Sequence, residues 1–312
     1  MTNIEPHFLQ VDWAAFDPWR IQAVRHRLGD HPLMQFGQLV ELGRRLDGRG
    51  QVRTHSDRAT AGTPFNDAPS LHPNARSAVD TLRSIRDARA WMSLLNVQTD
   101  PTYRRLVDAV LDEARAHLDR LDPGMHHRAG WIFISSPHAV TPFHIDKEHN
   151  FILQLQGRKR VYVWDHRDTV AVSERARGRF HRLHERDLIQ WREELRERAR
   201  VFDLEPGQGA YMPSTSPHMV ENGDAPSVTM SFTYLTDATR RDARLHAIRD
   251  WMHRGGIAPP PVGSRPLFDR AIFAGSCALL GARRTAQRLL GRKVAPERAP
   301  YAAAHLFEGA QG

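Results

Sequence analysis

The sequence contains one cysteine, very few lysines and no long hydrophobic run. The single Cys277 excludes an intrachain disulfide framework and a cysteine-rich zinc site, and it favours a reducing compartment. No uncharged apolar run reaches the roughly 18 residues that a membrane helix needs. The first residues also do not have the basic and then apolar pattern of a signal peptide. These absences predict a cytoplasmic protein that does not enter a membrane.

Lysine is nearly absent from a chain that is otherwise basic. The 312 residues include 44 lysines and arginines and carry a formal net charge of +8, but the lysines are only Lys147, Lys159 and Lys293. A basic balance could indicate nucleic acid, an anionic surface or an acidic substrate as a partner. Most arginine-rich stretches also contain acidic residues, as exposed helices do. Solvated helix faces are therefore the preferred interpretation, with nucleic acid as the less favoured alternative.

Residues 1–128 have a mostly helical pattern. Asp17 and Asp100 each precede a proline, which is typical of an N-cap followed by the first helical turn. A segment near 54–74 is rich in turn-forming residues and predicts a long loop, either a lid or binding loop or a disordered segment. The spacing after Asp100 predicts an amphipathic helix, whose apolar positions are Tyr103, Leu106, Val110, Ala114, Leu118 and Leu121.

Residues 129–236 change to short β-type runs separated by glycine and proline. Gln156 and Gly157 stand between two such runs and are typical of a hairpin turn, while a charged stretch near 174–199 favours a helix. Seven short strands predict a sandwich or barrel rather than a parallel sheet. They are GWIFIS, AVTPFHI, NFILQLQ, RKRVYVW, RVFDLE, GAYMP and SVTMSFTYL.

Residues 237–312 return to a helical pattern. One helix ends at the double glycine of DWMHRGG, and a proline-rich link then precedes a last helix over about 267–291. The last helix has an apolar side, which predicts either a homodimer or packing against the protein's own barrel. The fold class predicted for the whole chain is a mainly β core with helical N-terminal and C-terminal extensions.

His144 and Asp146 stand two residues apart at the end of a short β-type run. Residues i and i+2 of a strand point to the same face, so an imidazole and a carboxylate can converge there. His218, which follows a Pro-Gly turn and a short apolar run, is the preferred third ligand. Two histidines and one carboxylate leave coordination positions open, which suits Fe(II). Spacing alone leaves polar strand-edge residues and another metal as alternatives, because other histidines are also available: His138, His149, His166, His181 and His184.

The segment TPFHIDKEHNFILQLQGRKRVYVWD, followed by EPGQGAYMPSTSPHMVEN and SVTMSFTYL, resembles the JmjC-type, cupin-like Fe(II)/2-oxoglutarate oxygenases. Within them it is most similar to the hydroxylase branch that includes the asparaginyl hydroxylase of hypoxia-inducible factor. The likeness covers about residues 129–236, where five elements occur in the family's order. It implies a double-stranded β-helix (jelly-roll) core for this range, flanked by the extensions 1–128 and 237–312.

The resemblance assigns roles to individual residues of this chain. His144, Asp146 and His218 would hold the iron. Lys159 matches the lysine that pairs with the distal carboxylate of 2-oxoglutarate, although a lysine at a strand edge is the alternative. Two weaker matches are polar residues near the cosubstrate, Thr141 and Asn150. A further position departs from the family, since Ser231 stands where these hydroxylases often have asparagine.

The implied activity is a dioxygenase reaction that uses Fe(II), 2-oxoglutarate and O2. It would hydroxylate a C–H bond of a protein or peptide side chain, or of a small molecule, and release succinate and CO2. N-demethylation is a less favoured outcome of the same chemistry. Two rival functions are a non-oxygenase metal cupin, such as an isomerase or lyase, and a non-catalytic regulatory or nucleic-acid-binding protein.

Overall fold

The computed structural model describes residues 7–289, which divide into two compact units. One unit reaches Ile257 and contains every described strand, and the other begins at Ala258 and contains the last helix. The strands are β1 Leu9–Gln10, β2 Gln22–His26, β3 Val52–Ser56, β4 Ala90–Leu94, β5 His126–Ser135, β6 Val140–His144, β7 His149–Gln156, β8 Lys159–Val163, β9 Arg200–Leu204, β10 Gln208–Met212, β11 His218–Asn222 and β12 Ser227–Leu235. The helices are α1 Phe36–Asp47, α2 Ala68–Leu71, α3 Ala78–Arg83, α4 Pro101–Leu118, α5 Glu174–Leu183, α6 Asp237–Arg254 and α7 Pro266–Leu289.

Two antiparallel sheets form the core of the first unit. The larger has the order β1-β2-β10-β7-β12-β5-β4-β3, and the smaller has the order β6-β11-β8-β9. One buried cluster combines Ile152 and Met212 of the large sheet with Val161 and Val220 of the small sheet. The sheets therefore pack face to face. This arrangement confirms the predicted mainly β, cupin-like core with additional helices.

The alternation of side chains along β12 separates two environments. Val228, Met230 and Phe232 belong to the large apolar core that also includes α1 and α4. Because strand residues alternate between faces, Thr229 and Ser231 lie on the other face, toward the interior between the sheets. The large sheet thus presents an apolar face to the helices and a partly polar face to the interior.

The prediction of a mostly helical region over residues 1–128 is only partly right. This region contains α1 to α4, but β1 to β4 also form both edges of the large sheet. Asp17 does not cap a helix, because its carboxylate accepts a hydrogen bond from Trp19 N at 2.9 Å within a turn. Asp100 caps α4 as predicted, and its side chain accepts from Thr102 N. The helix ends at Leu118, so Leu121 lies outside it and is 48% exposed.

The hairpin predicted at Gln156 and Gly157 is wrong. β7 pairs with β10 and β12 in the large sheet, whereas β8 pairs with β9 and β11 in the small sheet. The turn therefore carries the chain from one sheet to the other, which a local turn signal cannot distinguish from a hairpin. The sequence analysis also missed β11, which begins at His218.

The charged stretch near 174–199 is helical only in part. α5 covers Glu174–Leu183, and a short 3-10 helix covers Glu193–Arg198.

α6 ends as predicted before Gly255. α7 covers most of the predicted last helix, whose end at 290–291 lies outside the described residues. None of the helices in the described ranges combines the length and apolar content that crossing a membrane requires.

Gly157 provides a test of the turn between the sheets. Its φ is +72°, and a Cβ atom there would collide with the backbone carbonyl oxygen of Pro226. We expect Gly157→Ala to lower the free energy of unfolding by about 2 kcal/mol or more, through left-handed strain and a backbone clash. Urea unfolding measures the change. The matched control is Gly37→Ala in α1, where the added Cβ meets nothing within 4 Å; equal midpoints for the two variants would contradict the assignment.

Candidate metal centre

The pairing of β6 with β11 brings the predicted ligands together. His144 and His218 are direct Cα partners across the two strands, and Asp146 follows β6 in the loop. The carboxylate Oδ2 of Asp146 lies 3.5 Å from His144 Nε2 and 3.8 Å from His218 Nε2. One donor atom from each residue lies within 4.8 Å of the others. A divalent metal ion bonds such donors at about 2.1 Å, so this spacing allows all three to share one ion.

Backbone carbonyl groups fix the orientation of both imidazole rings. His144 Nδ1 lies 2.7 Å from the carbonyl oxygen of Pro142, and His218 Nδ1 lies 3.1 Å from that of Ser216. A carbonyl oxygen can only accept, so each Nδ1 carries a proton, and each Nε2 is the ring nitrogen directed toward Asp146. Burial, followed by the nearby His144, lowers the pKa of His218 to about 3. Both rings are therefore oriented to ligate a metal through Nε2.

Arg186 holds the carboxylate of Asp146. Its Nη2 donates to Asp146 Oδ1 at 2.8 Å, which leaves Oδ2 directed toward the two histidines. Burial would raise the pKa of Asp146, but His144, Arg186 and His218 outweigh it and hold this pKa well below its usual range. Arg186 is 7% exposed and carried no signal in the sequence analysis, because its role depends on a contact between segments that are distant in the chain.

The alternative histidines lie elsewhere in the described structure. His149 follows Asp146 closely in sequence, but its ring contacts Asp122 at 3.3 Å and Tyr211 at 2.8 Å. His181 stacks on His246 between α5 and α6. Among the described residues, His144, Asp146 and His218 form the only group of at least three metal-ligand side chains whose donor atoms lie close enough to share an ion.

The loop predicted near 54–74 is correct only in part, because β3 reaches Ser56 and α2 covers Ala68–Leu71. The part between them covers the metal centre. Phe65 stacks on His144, with ring centroids 3.8 Å apart and planes 10° from parallel. Arg53 and Arg186 each place a guanidinium group over the Phe65 ring, and Arg186 also donates to Asn66 at 3.0 Å. The loop is therefore ordered against a candidate ligand. The loop and Asp146 share one arginine.

Lys159 lies on β8 in the interior between the two sheets. It shares the inward face of the strand with Val161 and Val163, and its side chain is 5% exposed. Burial lowers the pKa of Lys159 to about 7. The described residues provide it with no hydrogen bond or ion pair, although a buried amine normally has a partner. An anionic ligand would supply the missing counter-charge.

Other buried polar atoms near this interior also have no partner. Thr141 accepts a hydrogen bond from Trp91 Nε1 at 2.8 Å, and its own hydroxyl proton can still be donated. Asn150 lines a recess beside the triad, together with Glu148 and Thr233; the recess measures about 10 Å³, which is room for about one water. The side-chain atoms without a partner include Ser93 Oγ, Ser135 Oγ, Asn150 Oδ1, Asn222 Oδ1 and Ser231 Oγ. Ser93 and Ser135 were not predicted as site residues, because a serine within an apolar run carries no recognisable motif.

The residues present fit Fe(II) and a dicarboxylate. Two imidazoles and one carboxylate form a donor set that leaves coordination positions open. The unpaired Lys159 ammonium group and the unsatisfied hydroxyl groups suit the oxygens of a second, anionic ligand.

Arg186→Met tests the support of Asp146. Because outer-shell partners orient metal ligands, we expect this change to weaken Co(II) binding by 10- to 100-fold while the protein stays folded. Isothermal titration of the metal-free protein with Co(II) measures the effect. Arg192→Met is the matched control, since Arg192 is exposed and donates only to the carbonyl oxygen of Val170. An unchanged Co(II) affinity in Arg186→Met would contradict the proposed role.

Known proteins share limited similarity with this chain. The structure of Escherichia coli YcfD, a ribosomal oxygenase, in complex with cobalt and 2-oxoglutarate aligns with 16% identity and a TM-score of 0.47. The alignment covers 96% of this chain and 78% of the YcfD chain. A Lactobacillus farciminis oxalate decarboxylase–formate complex aligns with 16% identity and a TM-score of 0.24, over 36% and 28% of the two chains. No curated protein sequence shows significant similarity. Residues 9–239 match the model of the cupin-like domain, and the chain therefore belongs to the cupin-like domain family.

Proposed function

We propose that this protein is an Fe(II)- and 2-oxoglutarate-dependent oxygenase that hydroxylates a C–H bond of its substrate. The observation that carries the proposal is the pairing of an His-Asp-His group with a buried, unpaired lysine in one β core. When bound, iron with 2-oxoglutarate and O2 supplies the oxidising chemistry, and succinate and CO2 are released with the hydroxylated product.

His144, Asp146 and His218 would hold Fe(II). The carbonyl groups of Pro142 and Ser216 fix both rings with Nε2 directed at the metal position, and Arg186 keeps one carboxylate oxygen directed there as well. These contacts fix the three donors before the metal arrives, which lowers the cost of ordering them on binding.

Lys159 would bind the distal carboxylate of 2-oxoglutarate. Its charge is buried without a partner, so a carboxylate there replaces the water that the ammonium group lost on folding. Thr141 is proposed to donate its hydroxyl proton to the same carboxylate. Asn150 is proposed to contact the other end of the cosubstrate, since it lines the recess with Asp146 and His218.

The substrate proposed is a protein or peptide side chain or a small molecule, which reaches the metal past the loop that contains Phe65. Phe65 lies on His144, and the recess beside the triad holds only about one water. The loop therefore has to move for a substrate to enter, and in its present position it covers the His144 side chain, which is 5% exposed, while Asp146 stays 36% exposed. Hydroxylation is proposed because the sequence resembles the hydroxylase branch.

A non-oxygenase metal cupin is the rival function. Such an enzyme could use the same three metal ligands, but it would not require a buried lysine without a partner. Consumption of 2-oxoglutarate distinguishes the two functions.

We expect Fe(II) and 2-oxoglutarate, mixed with the protein without oxygen, to give a weak visible charge-transfer band. Admission of oxygen should then yield succinate. Both signals should be lost in His144→Ala and Asp146→Ala, because each removes a donor. The control is His138→Asn, an exposed position with a φ of +61° that asparagine tolerates. No band and no succinate from protein with a full metal content would refute the oxygenase proposal.

The lowered pKa of Lys159 predicts a pH dependence. The ammonium form is present below pH 7, so 2-oxoglutarate affinity should be constant there and should fall by up to tenfold per unit as the pH rises above about 7. Lys159→Met should bind 2-oxoglutarate far more weakly at every pH. Titration calorimetry with the Co(II) protein measures both.

The same substitution should stabilise the ligand-free protein. Burial lowers the pKa of Lys159 from 10.5 to about 7. The buried charge therefore destabilises the folded state fully below pH 7, and this destabilisation decreases as the pH approaches 10.5. Lys159→Met should therefore raise Tm most at pH 7 or below. The exposed neighbour Arg160, which pairs with Asp203, supplies the control Arg160→Met. A lower Tm in Lys159→Met would show that the lysine has a partner.

A further inference from the structure

A groove between α5 and α6 is larger than the recess at the metal centre and uses none of its residues. Its volume is about 320 Å³, which is within the range of small-ligand sites. We call it the arginine groove and define it by its lining residues Arg175, Arg179, Arg182, Asp250, His253 and Arg254.

Helical spacing places these side chains along one groove. Arg175, Arg179 and Arg182 stand four and three residues apart, which puts them on one side of α5. Asp250 and Arg254 stand four residues apart on α6. The two helices approach closely at Gly178, where an added Cβ would lie 3.0 Å from the carbonyl oxygen of His246. The absence of a side chain at position 178 therefore lets both sets of polar residues face the same space.

Internal ion pairs neutralise only part of the positive charge. Arg182 pairs with Asp250 at the base of the groove, and Arg179 donates to Glu185 at 2.6 Å. For Arg175 and Arg254, the part of the chain that is described supplies no hydrogen bond or ion pair. His253 Nε2 is buried and also has no partner. The groove therefore holds two unpaired guanidinium groups and one imidazole nitrogen that can bind an anion.

An exposed aromatic ring stands beside these charges. Trp251 is 60% exposed, although water disfavours so large an apolar surface. The guanidinium carbon of Arg182 lies 4.9 Å from its ring centroid, and that of Arg254 lies 5.3 Å away. Indole rings and guanidinium planes are the surfaces on which proteins stack unpaired bases.

We infer that the arginine groove binds a single-stranded nucleic acid segment. A base stacks on the ring of Trp251, and the adjoining phosphates lie at Arg175, Arg254 and His253. Phosphate oxygens supply the counter-charge that these groups lack. An acidic peptide would satisfy the charges but would make no use of the exposed indole surface, so the aromatic ring favours nucleic acid. The inference does not depend on turnover at the metal centre.

The test measures binding of fluorescent ten-nucleotide oligo(A) RNA, oligo(dA) DNA and a polyglutamate peptide to the full chain by anisotropy at several salt concentrations. We expect the oligonucleotides to bind and polyglutamate to bind at least tenfold more weakly. The RNA and DNA arms show whether the 2′-hydroxyl group contributes. Trp251→Ala should weaken oligonucleotide binding roughly tenfold through the loss of one stacked base.

Arg175→Glu/Arg254→Glu should abolish measurable binding and should lower the salt dependence of any residual affinity, because two phosphate contacts are lost. Arg83→Glu/Arg105→Glu is the matched control, since both positions are exposed on α3 and α4 and the change in net charge is the same. Equal losses of oligonucleotide affinity in the two double variants would show that only the overall charge matters, and would overturn the assignment of the arginine groove as the binding site. Equal binding of polyglutamate, or full affinity in Trp251→Ala, would overturn the assignment to nucleic acid.

Discussion

The antiparallel pairing of β6 with β11 is the constraint on which the candidate metal centre depends. It makes His144 and His218 direct partners, although they are far apart in the chain. A second tie fixes the neighbouring loops, since Thr215 N donates to the carbonyl oxygen of Asp146 at 2.8 Å. Thr215 has a φ of +61°, and the buried Arg177 donates to its carbonyl oxygen. A strained residue is thus held in place by its surroundings, as is common at functional sites.

Arg186 connects the metal centre to its covering loop. One guanidinium group donates to Asp146, to Asn66 and to the carbonyl oxygen of Ile145, and it also lies over the rings of Phe65 and Phe180. Movement of the loop would therefore remove a hydrogen bond and an aromatic contact from the residue that orients the carboxylate. The position of the loop and the geometry of the donor set are coupled through this side chain.

The two faces of the large sheet have different roles: one stabilises the fold, and the other lines the interior next to the candidate site. The face toward α1 and α4 is a continuous apolar core, whose burial is the main stabilising contribution to the fold. The opposite face includes Ser93, Ser135 and Ser231, which have buried oxygens without partners, and it looks onto the interior that contains Lys159. Unsatisfied polar groups destabilise a fold, so this interior is tolerable because the apolar core on the other face offsets its cost.

The resemblance of the sequence to the cupin-like oxygenases selected the three candidate ligands that cluster in the structure. The sequence by itself also determined the class of fold, because strand alternation and capping are local properties. The cap at Asp100 and the periodicity of α4 from Tyr103 to Leu118 were correct for the same reason, whereas Asp146 lies in the loop after β6, beyond the reach of strand alternation. Only the tertiary structure decided that β1 to β4 extend the large sheet and that the turn at Gly157 joins two sheets, since both depend on which strands pair. It also decided the contacts of Arg186, Phe65 and Ser135, because they join segments that no local pattern relates.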